Sequence, residues 1–128
     1  GAYQVLACLE KMQIPRAVAT SSSGHKARAI LERVGLWQYI PHLTGGDEVN
    51  AGKPAPDVYL DSAKKLGVDA PRCIAFEDSE TGVKAALAAG MRVIQVPDLI
   101  AAERAPAPPA YYHASSLVDG AALLGIDL

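Results

Sequence analysis

The amino-acid sequence predicts an α/β fold in which a parallel β-sheet carries helices on both faces. Short, continuously apolar runs, which are typical of parallel strands buried on both faces, alternate with longer segments whose apolar residues recur at helical spacing. A glycine follows four of the five helical segments, where a helix commonly ends in a left-handed turn. The chain has 128 residues, half of them apolar and a fifth charged, which is the balance of a single soluble globular domain.

The elements follow in order along the chain. Apolar runs predict strands at residues 16–20, 72–76 and 92–96, with weaker strands at 42–44 and around 111–112. The helical stripes are Val5, Leu6, Leu9 and Met12; Ala27, Ile30, Leu31 and Val34; Tyr59, Ala63 and Leu66; Val83, Ala86 and Leu87; and Leu117, Ala121 and Leu124. The proline-rich stretch 104–109 predicts an extended connector. A helix rather than a strand opens the chain, which is unusual for a doubly wound fold.

Composition excludes several classes of protein. The net charge is −2 and no basic run occurs, so we expect neither a nucleic-acid partner nor an anionic membrane surface. No apolar stretch approaches the roughly 20 residues that a membrane span needs. The two cysteines, Cys8 and Cys73, lie far apart and form no zinc or disulfide pattern. A reduced, cytoplasmic setting is the expectation.

Three polar clusters stand at the ends of predicted elements, and ligands of open parallel sheets bind beyond the carboxyl ends of the strands. The first cluster is residues 20–24, Thr-Ser-Ser-Ser-Gly, directly after a strand. Hydroxyls and backbone N–H groups at such a place can hold an anion, and Thr20, Ser21 and Ser22 are the candidates. The alternative is ordinary capping of the following helix by Ser22 or Ser23.

The second cluster is residues 52–57, Gly-Lys-Pro-Ala-Pro-Asp. Two prolines stiffen this loop, so the Lys53 ammonium would project from a rigid segment and could balance the charge of a phosphate group. The alternative is a solvated lysine beside a helix start.

The third cluster closes the strand at 72–76 with the adjacent carboxylates Glu77 and Asp78. Carboxylate oxygens are the ligands that Mg²⁺ prefers, so this pair predicts a magnesium site. In the alternative, Asp78 or Ser79 caps the next helix and Glu77 lies in water.

Three segments in combination resemble the second, third and fourth motifs of the haloacid dehalogenase-like superfamily, in its β-phosphoglucomutase-like phosphatase branch. They are residues 19–22 (Ala-Thr-Ser-Ser), 52–57 and 77–82 (Glu-Asp-Ser-Glu-Thr-Gly). The resemblance implies a Rossmann-like three-layer α/β/α domain and Mg²⁺-dependent phosphoryl transfer. Thr20 would bond the transferred phosphoryl group, Lys53 would balance its charge, and Ser21 and Ser22 would bind substrate. Asp78 would bind Mg²⁺ directly, and Glu77 would help position the ion or its waters.

The first motif of that family, Asp-x-Asp, has no counterpart here, because no two aspartates in the chain are separated by one residue. The leading aspartate is the covalent nucleophile in the family and the second is its general acid/base. The helical cap that follows this motif is missing as well. We therefore expect residues 1–128 to be a partial catalytic core, without the family's first strand and cap, and inactive alone.

Three functional hypotheses follow. The first is a phosphatase of small phosphorylated metabolites, or a sugar-phosphate phosphomutase, which works through an aspartyl phosphate formed outside these residues. The second is a non-catalytic α/β module that binds phosphate or a partner through the same crevice. The third, a phosphoryl-accepting receiver domain, needs an acidic pair after the first strand, and none exists here. The resemblance implies that the family's first strand lies between the strands of Thr20 and Phe76. Without it, the chain is expected to self-associate, to bind the missing N-terminal segment, or to close the gap itself.

Overall fold

A computed structural model describes residues 1–96 and 111–126, and these ranges contain five α-helices and five β-strands. In chain order they are α1 Ala2–Lys11, β1 Ala17–Ala19, α2 Gly24–Arg33, β2 His42–Thr44, α3 Asp57–Leu66, β3 Ile74–Glu77, α4 Glu80–Ala88, β4 Arg92–Gln95, β5 Tyr111–His113 and α5 Leu117–Leu123. Every predicted helix and strand is confirmed. The predicted connector at 104–109 lies outside the described residues.

The third strand differs most from its prediction. It begins at Ile74 rather than at residue 72, because Ala70–Arg72 forms a short 3₁₀ turn. Pro71 lies in this turn, and proline has no N–H to contribute to a strand ladder. The strand then continues through Glu77, so this carboxylate belongs to β3 itself and not to the loop beyond it.

All strand pairings are parallel, as predicted, but they form two sheets among the described residues. One sheet pairs β1 with β2, and the other has the order β3-β4-β5. No ladder joins β1 to β3, so the sheet is divided between the Thr20 strand and the Phe76 strand. The expectation that the chain could close this gap by pairing β1 directly with β3 is therefore wrong.

Helices cover both faces, which gives three layers. On one face α3 and α4 enclose a core with Val58, Ala63, Val83 and Val93, all almost fully buried. On the other face α5 packs so closely that a Cβ added at Gly120 would meet Phe76 and Ile94. A second, smaller core joins α1 to α5. No helix within the described ranges is long and apolar enough to cross a membrane.

Candidate functional site

The carboxyl ends of β1 and β3, together with the loop before α3, position the three polar clusters. Because the strands within each sheet are parallel, their carboxyl ends meet at a common edge. The Thr20 loop leaves β1 there, and Glu77 ends β3. The Lys53 side chain reaches from its loop to the Ala19 carbonyl at the end of β1 and to the Glu77 carboxylate.

Thr20 follows β1 and begins a tightly bonded loop. Its backbone N–H donates to the Thr44 carbonyl at 3.0 Å, which extends the pairing with β2 by one residue. Its Oγ1 accepts from the Ser22 N–H at 3.1 Å, whereas the Ser21 and Ser22 side chains are exposed. Ser23 caps α2 by accepting from the Lys26 N–H. The loop therefore caps α2 through Ser23 and also exposes the hydroxyls of Ser21 and Ser22.

A turn after β2 supports the Thr20 loop, and sequence reasoning missed it. The Gly46 N–H donates to the Ser22 carbonyl at 2.8 Å, and the Asp47 carboxylate accepts from the Gly24 N–H at 2.9 Å. A Cβ at Gly45 or Gly46 would overlap the backbone of this loop. The double glycine after β2 was the available signal, since adjacent glycines mark a close backbone approach.

A charged network fixes that turn against α3. The Lys65 ammonium lies within 2.9 Å of Glu48 and 3.2 Å of Asp61, and it donates to the Leu43 carbonyl. The Gly45 N–H and Lys65 lower the pKa of Glu48. The Thr44 hydroxyl, then Lys65, lowers the pKa of Asp61. Burial opposes the charge on Lys65, yet its two carboxylate partners raise its pKa overall.

The Lys53 side chain is largely buried, which excludes the alternative interpretation of a solvated lysine. It is 10% exposed. Its Nζ donates to the Ala19 carbonyl at the end of β1, at 3.3 Å, and to Glu77 Oε1 at the end of β3, at 2.5 Å. An ammonium has three N–H donors, so one remains for a further acceptor. This one side chain links the ends of the two sheets.

Glu77 lies inside the protein, which contradicts the alternative that placed it in water. The residue is 8% exposed, and its Oε1 accepts from both Lys53 and the Tyr59 hydroxyl. Burial, then the negative charge of Glu77, raises the pKa of Tyr59 far above its ordinary value, so its hydroxyl keeps its proton and donates. A Cβ at Gly82 would overlap the Glu77 carboxylate, so the glycine makes room for it.

Asp78 is exposed, in contrast to its neighbour, so the two carboxylates do not face the same surroundings. The cap of α4 is Ser79, whose Oγ accepts from the Gly82 N–H at 3.1 Å, and not Asp78. Asp78 therefore has no capping role, and its carboxylate stands at the strand end. Two hard oxygen donors at one strand end fit Mg²⁺ in kind. They are an incomplete set, since no group of three candidate ligands occurs in the described part of the chain.

The structure thus brings Lys53 and Glu77 into direct contact and places Thr20 next to the carbonyl that Lys53 binds. It does not bond the Ser21 or Ser22 hydroxyls to Lys53, nor Asp78 to Lys53. Sequence reasoning assigned no functional role to Tyr59, and it quoted Gly82 only as the last residue of the segment 77–82. Tyr59 is the polar member of an otherwise apolar stripe, and Gly82 lies in the first turn of a helix, where glycine is disfavoured.

Comparisons with known proteins identify the family that the chain resembles. A family model described as haloacid dehalogenase-like hydrolase matches residues 1–90. The chain is 42% identical over 82 residues to the fructose-1-phosphate phosphatase YqaB of Escherichia coli (strain K12), covering 64% of this chain and 44% of that protein. It therefore spans less than half the length of this curated relative.

Solved structures of related proteins resemble the chain in fold. CbbY from Rhodobacter sphaeroides, in complex with xylulose-1,5-bisphosphate, superposes with a TM-score of 0.84 at 31% identity, over 100% of this chain and 58% of that one. The β-phosphoglucomutase of Clostridium difficile superposes with a TM-score of 0.72 at 25% identity, over 79% of this chain and 44% of that one. The predicted resemblance and the predicted α/β fold are both confirmed.

Proposed function

The chain belongs to the haloacid dehalogenase-like hydrolase family, and from that premise we propose that it forms part of the active site of an Mg²⁺-dependent phosphatase of small phosphorylated metabolites. Residues 1–128 would be one partial catalytic core domain, with a cytoplasmic location. The relatives named above act on or bind phosphorylated sugars, which favours the same class of substrate here. A sugar-phosphate phosphomutase is the related possibility within this proposal.

The position of Lys53 is the observation that carries the proposal. Its ammonium stands between the end of β1, where the Thr20 loop begins, and the Glu77 carboxylate at the end of β3. A cation fixed at that point can attract a phosphoryl group held by the Thr20 hydroxyl and the exposed Ser21 and Ser22. Its third N–H donor would bond a phosphoryl oxygen.

Asp78 and Glu77 would hold Mg²⁺ at the same strand end. Bound Mg²⁺ polarises a phosphoryl oxygen and neutralises charge that develops during transfer. Asp78, exposed at the strand end, would be the direct ligand, and Glu77 would orient the ion or its waters. Glu77 also keeps Lys53 in place, so this carboxylate would couple the metal site to the phosphoryl site.

The attacking group would come from outside these residues. In the proposed reaction an aspartate displaces the alcohol of the substrate, and the aspartyl phosphate is then hydrolysed. The chain has no Asp-x-Asp pair, so we expect the purified chain to have no phosphatase activity above background. A test is hydrolysis of p-nitrophenyl phosphate with Mg²⁺, in which turnover at about 1–10³ s⁻¹, the range typical of enzymes, would contradict the proposal.

The second candidate function is a non-catalytic module that binds phosphate or a partner through the same crevice. It is favoured because the site has a cation and hydroxyls, whereas the described residues form no group of three candidate metal ligands. Sequencing the DNA upstream of the coding region distinguishes the two. An in-frame Asp-x-Asp after an apolar run supports the phosphatase, and its absence supports the module.

A further inference from the structure

We propose that Tyr59 is a positioning residue of this site. Its hydroxyl, together with the Lys53 ammonium, holds one oxygen of the Glu77 carboxylate and leaves the second oxygen available to a divalent cation or its waters. The inference rests on the proposed function, because it assigns Glu77 to the metal site. It adds a residue outside the three sequence motifs, on the buried face of α3.

The first argument is that three groups meet at one atom. Tyr59 is 7% exposed, and its hydroxyl donates to Glu77 Oε1, the atom that also accepts from Lys53. The Lys53 Nζ lies 5.1 Å from the centre of the Tyr59 ring, within the range of a cation–π contact. Tyr59 therefore contacts both members of the buried ion pair, and it fixes their geometry from the core side.

The second argument concerns the other oxygen of Glu77. Both hydrogen bonds that the described residues give this carboxylate go to Oε1. Oε2 lies against Gly82, where the absence of a side chain leaves it space. An ionised carboxylate can accept about four hydrogen bonds or ligand contacts, so Oε2 retains its acceptor capacity. With Oε1 occupied twice, the carboxylate can present only Oε2 to a cation.

The third argument is the choice of residue. The other members of the core cluster that contains Tyr59 are apolar, and phenylalanine would keep the ring and lose only the hydroxyl. A buried hydroxyl costs free energy unless it is hydrogen-bonded, so the tyrosine is tolerated through its bond to Glu77. Groups that orient a metal-ligating carboxylate in this way typically change metal affinity by about 10–100-fold when they are removed.

The test compares Mg²⁺ binding by the chain and by Tyr59→Phe, which removes only the hydroxyl and keeps the ring above Lys53. Mg²⁺ is titrated while the backbone amide resonances of Asp78 and Ser79 are followed by NMR. Tyr111→Phe is the matched control, since Tyr111 packs against the same core and does not contact Glu77. We expect the dissociation constant to rise about tenfold or more in Tyr59→Phe and to stay unchanged in Tyr111→Phe.

Two further readouts make the result decisive. Thermal melting without Mg²⁺ shows whether Tyr59→Phe is folded. In the wild-type chain, the NMR resonance of the Tyr59 hydroxyl proton should shift when Mg²⁺ is added. Equal Mg²⁺ affinity of wild type and Tyr59→Phe, or an unchanged hydroxyl resonance during wild-type binding, overturns the role of Tyr59 alone. Failure of the wild-type chain to bind Mg²⁺ at all overturns the metal assignment in the proposed function, and this inference with it.

Discussion

Lys53 has a structural role and a proposed binding role, and a single substitution affects both. In the structure its ammonium holds the buried Glu77 and the end of β1. In the proposal it also binds the phosphoryl group. Lys53→Ala should therefore lower stability as well as phosphate binding, since it leaves the Glu77 carboxylate buried without its cation.

Removal of one partner from a buried ion pair costs about 3–5 kcal/mol, and the Tyr59 hydroxyl retained on Glu77 places Lys53→Ala at the lower end. Urea unfolding of the two proteins measures this difference. Lys84→Ala is the control, because Lys84 pairs with Glu80 at the surface, where such pairs contribute about 0–1 kcal/mol. A loss in Lys53→Ala no larger than in Lys84→Ala would mean that the ion pair does not stabilise the fold.

Part of this site could be predicted from residues alone. The order of hydroxyls, lysine and paired carboxylates along the chain located Thr20, Lys53 and Glu77 at element ends. The direction of the Glu77 side chain could not be predicted, because it depends on Tyr59 and Gly82, which arrive from two other elements. Asp78 lies one residue beyond the end of β3, so the alternation of side chains along the strand does not fix its direction relative to Glu77.

At the scale of elements, α4 contains a glycine that a helix would normally disfavour. Alanine at such a position usually gains about 1 kcal/mol of helix stability. A Cβ at Gly82 would instead overlap the Glu77 carboxylate, so Gly82→Ala should destabilise the protein and displace Glu77 from Lys53.

Thermal unfolding checks this prediction, with Thr81→Ala as the neighbouring control at an exposed position of the same helix. We expect a clear loss of stability for Gly82→Ala and little change for Thr81→Ala. A more stable Gly82→Ala protein would mean that helix propensity outweighs the contact, and that Glu77 has room to move.

The elements themselves were predictable because local rules decide them. Continuous apolar runs gave the strands, and spaced apolar residues with terminal glycines gave the helices. The start of β3 was missed because Pro71 favours a 3₁₀ turn before the apolar run. The support of the Thr20 loop by the turn at Gly46–Glu48 was missed because it joins segments distant in sequence.

At the scale of the whole molecule, the division into two sheets determines how the chain should behave in solution. Within the described ranges β1 pairs only with β2, and β3 only with β4, so each has an edge without a ladder partner. Unpaired edges of short apolar strands favour pairing with another chain. The division itself was foreseen only through the family resemblance, since no local pattern shows how strands distant in sequence pair.

We therefore predict that the chain associates with itself, or with a separate segment that supplies a strand. Light scattering at several concentrations should give an apparent mass that rises above 13.4 kDa with concentration. A mass that stays at that of the monomer into the high micromolar range, with cooperative unfolding, would mean that the Lys53 bridge and the helices stabilise the open edges sufficiently.

The central claim is that one crevice at the strand ends binds a phosphoryl group through the Thr20 loop and Lys53. Titration with inorganic phosphate in the presence of Mg²⁺, followed by amide NMR, tests it most directly. The account predicts saturable shifts at residues 20–24 and at Asp78, which a folded Lys53→Ala protein loses. Shifts confined to other surfaces, or the same affinity in Lys53→Ala, would contradict it.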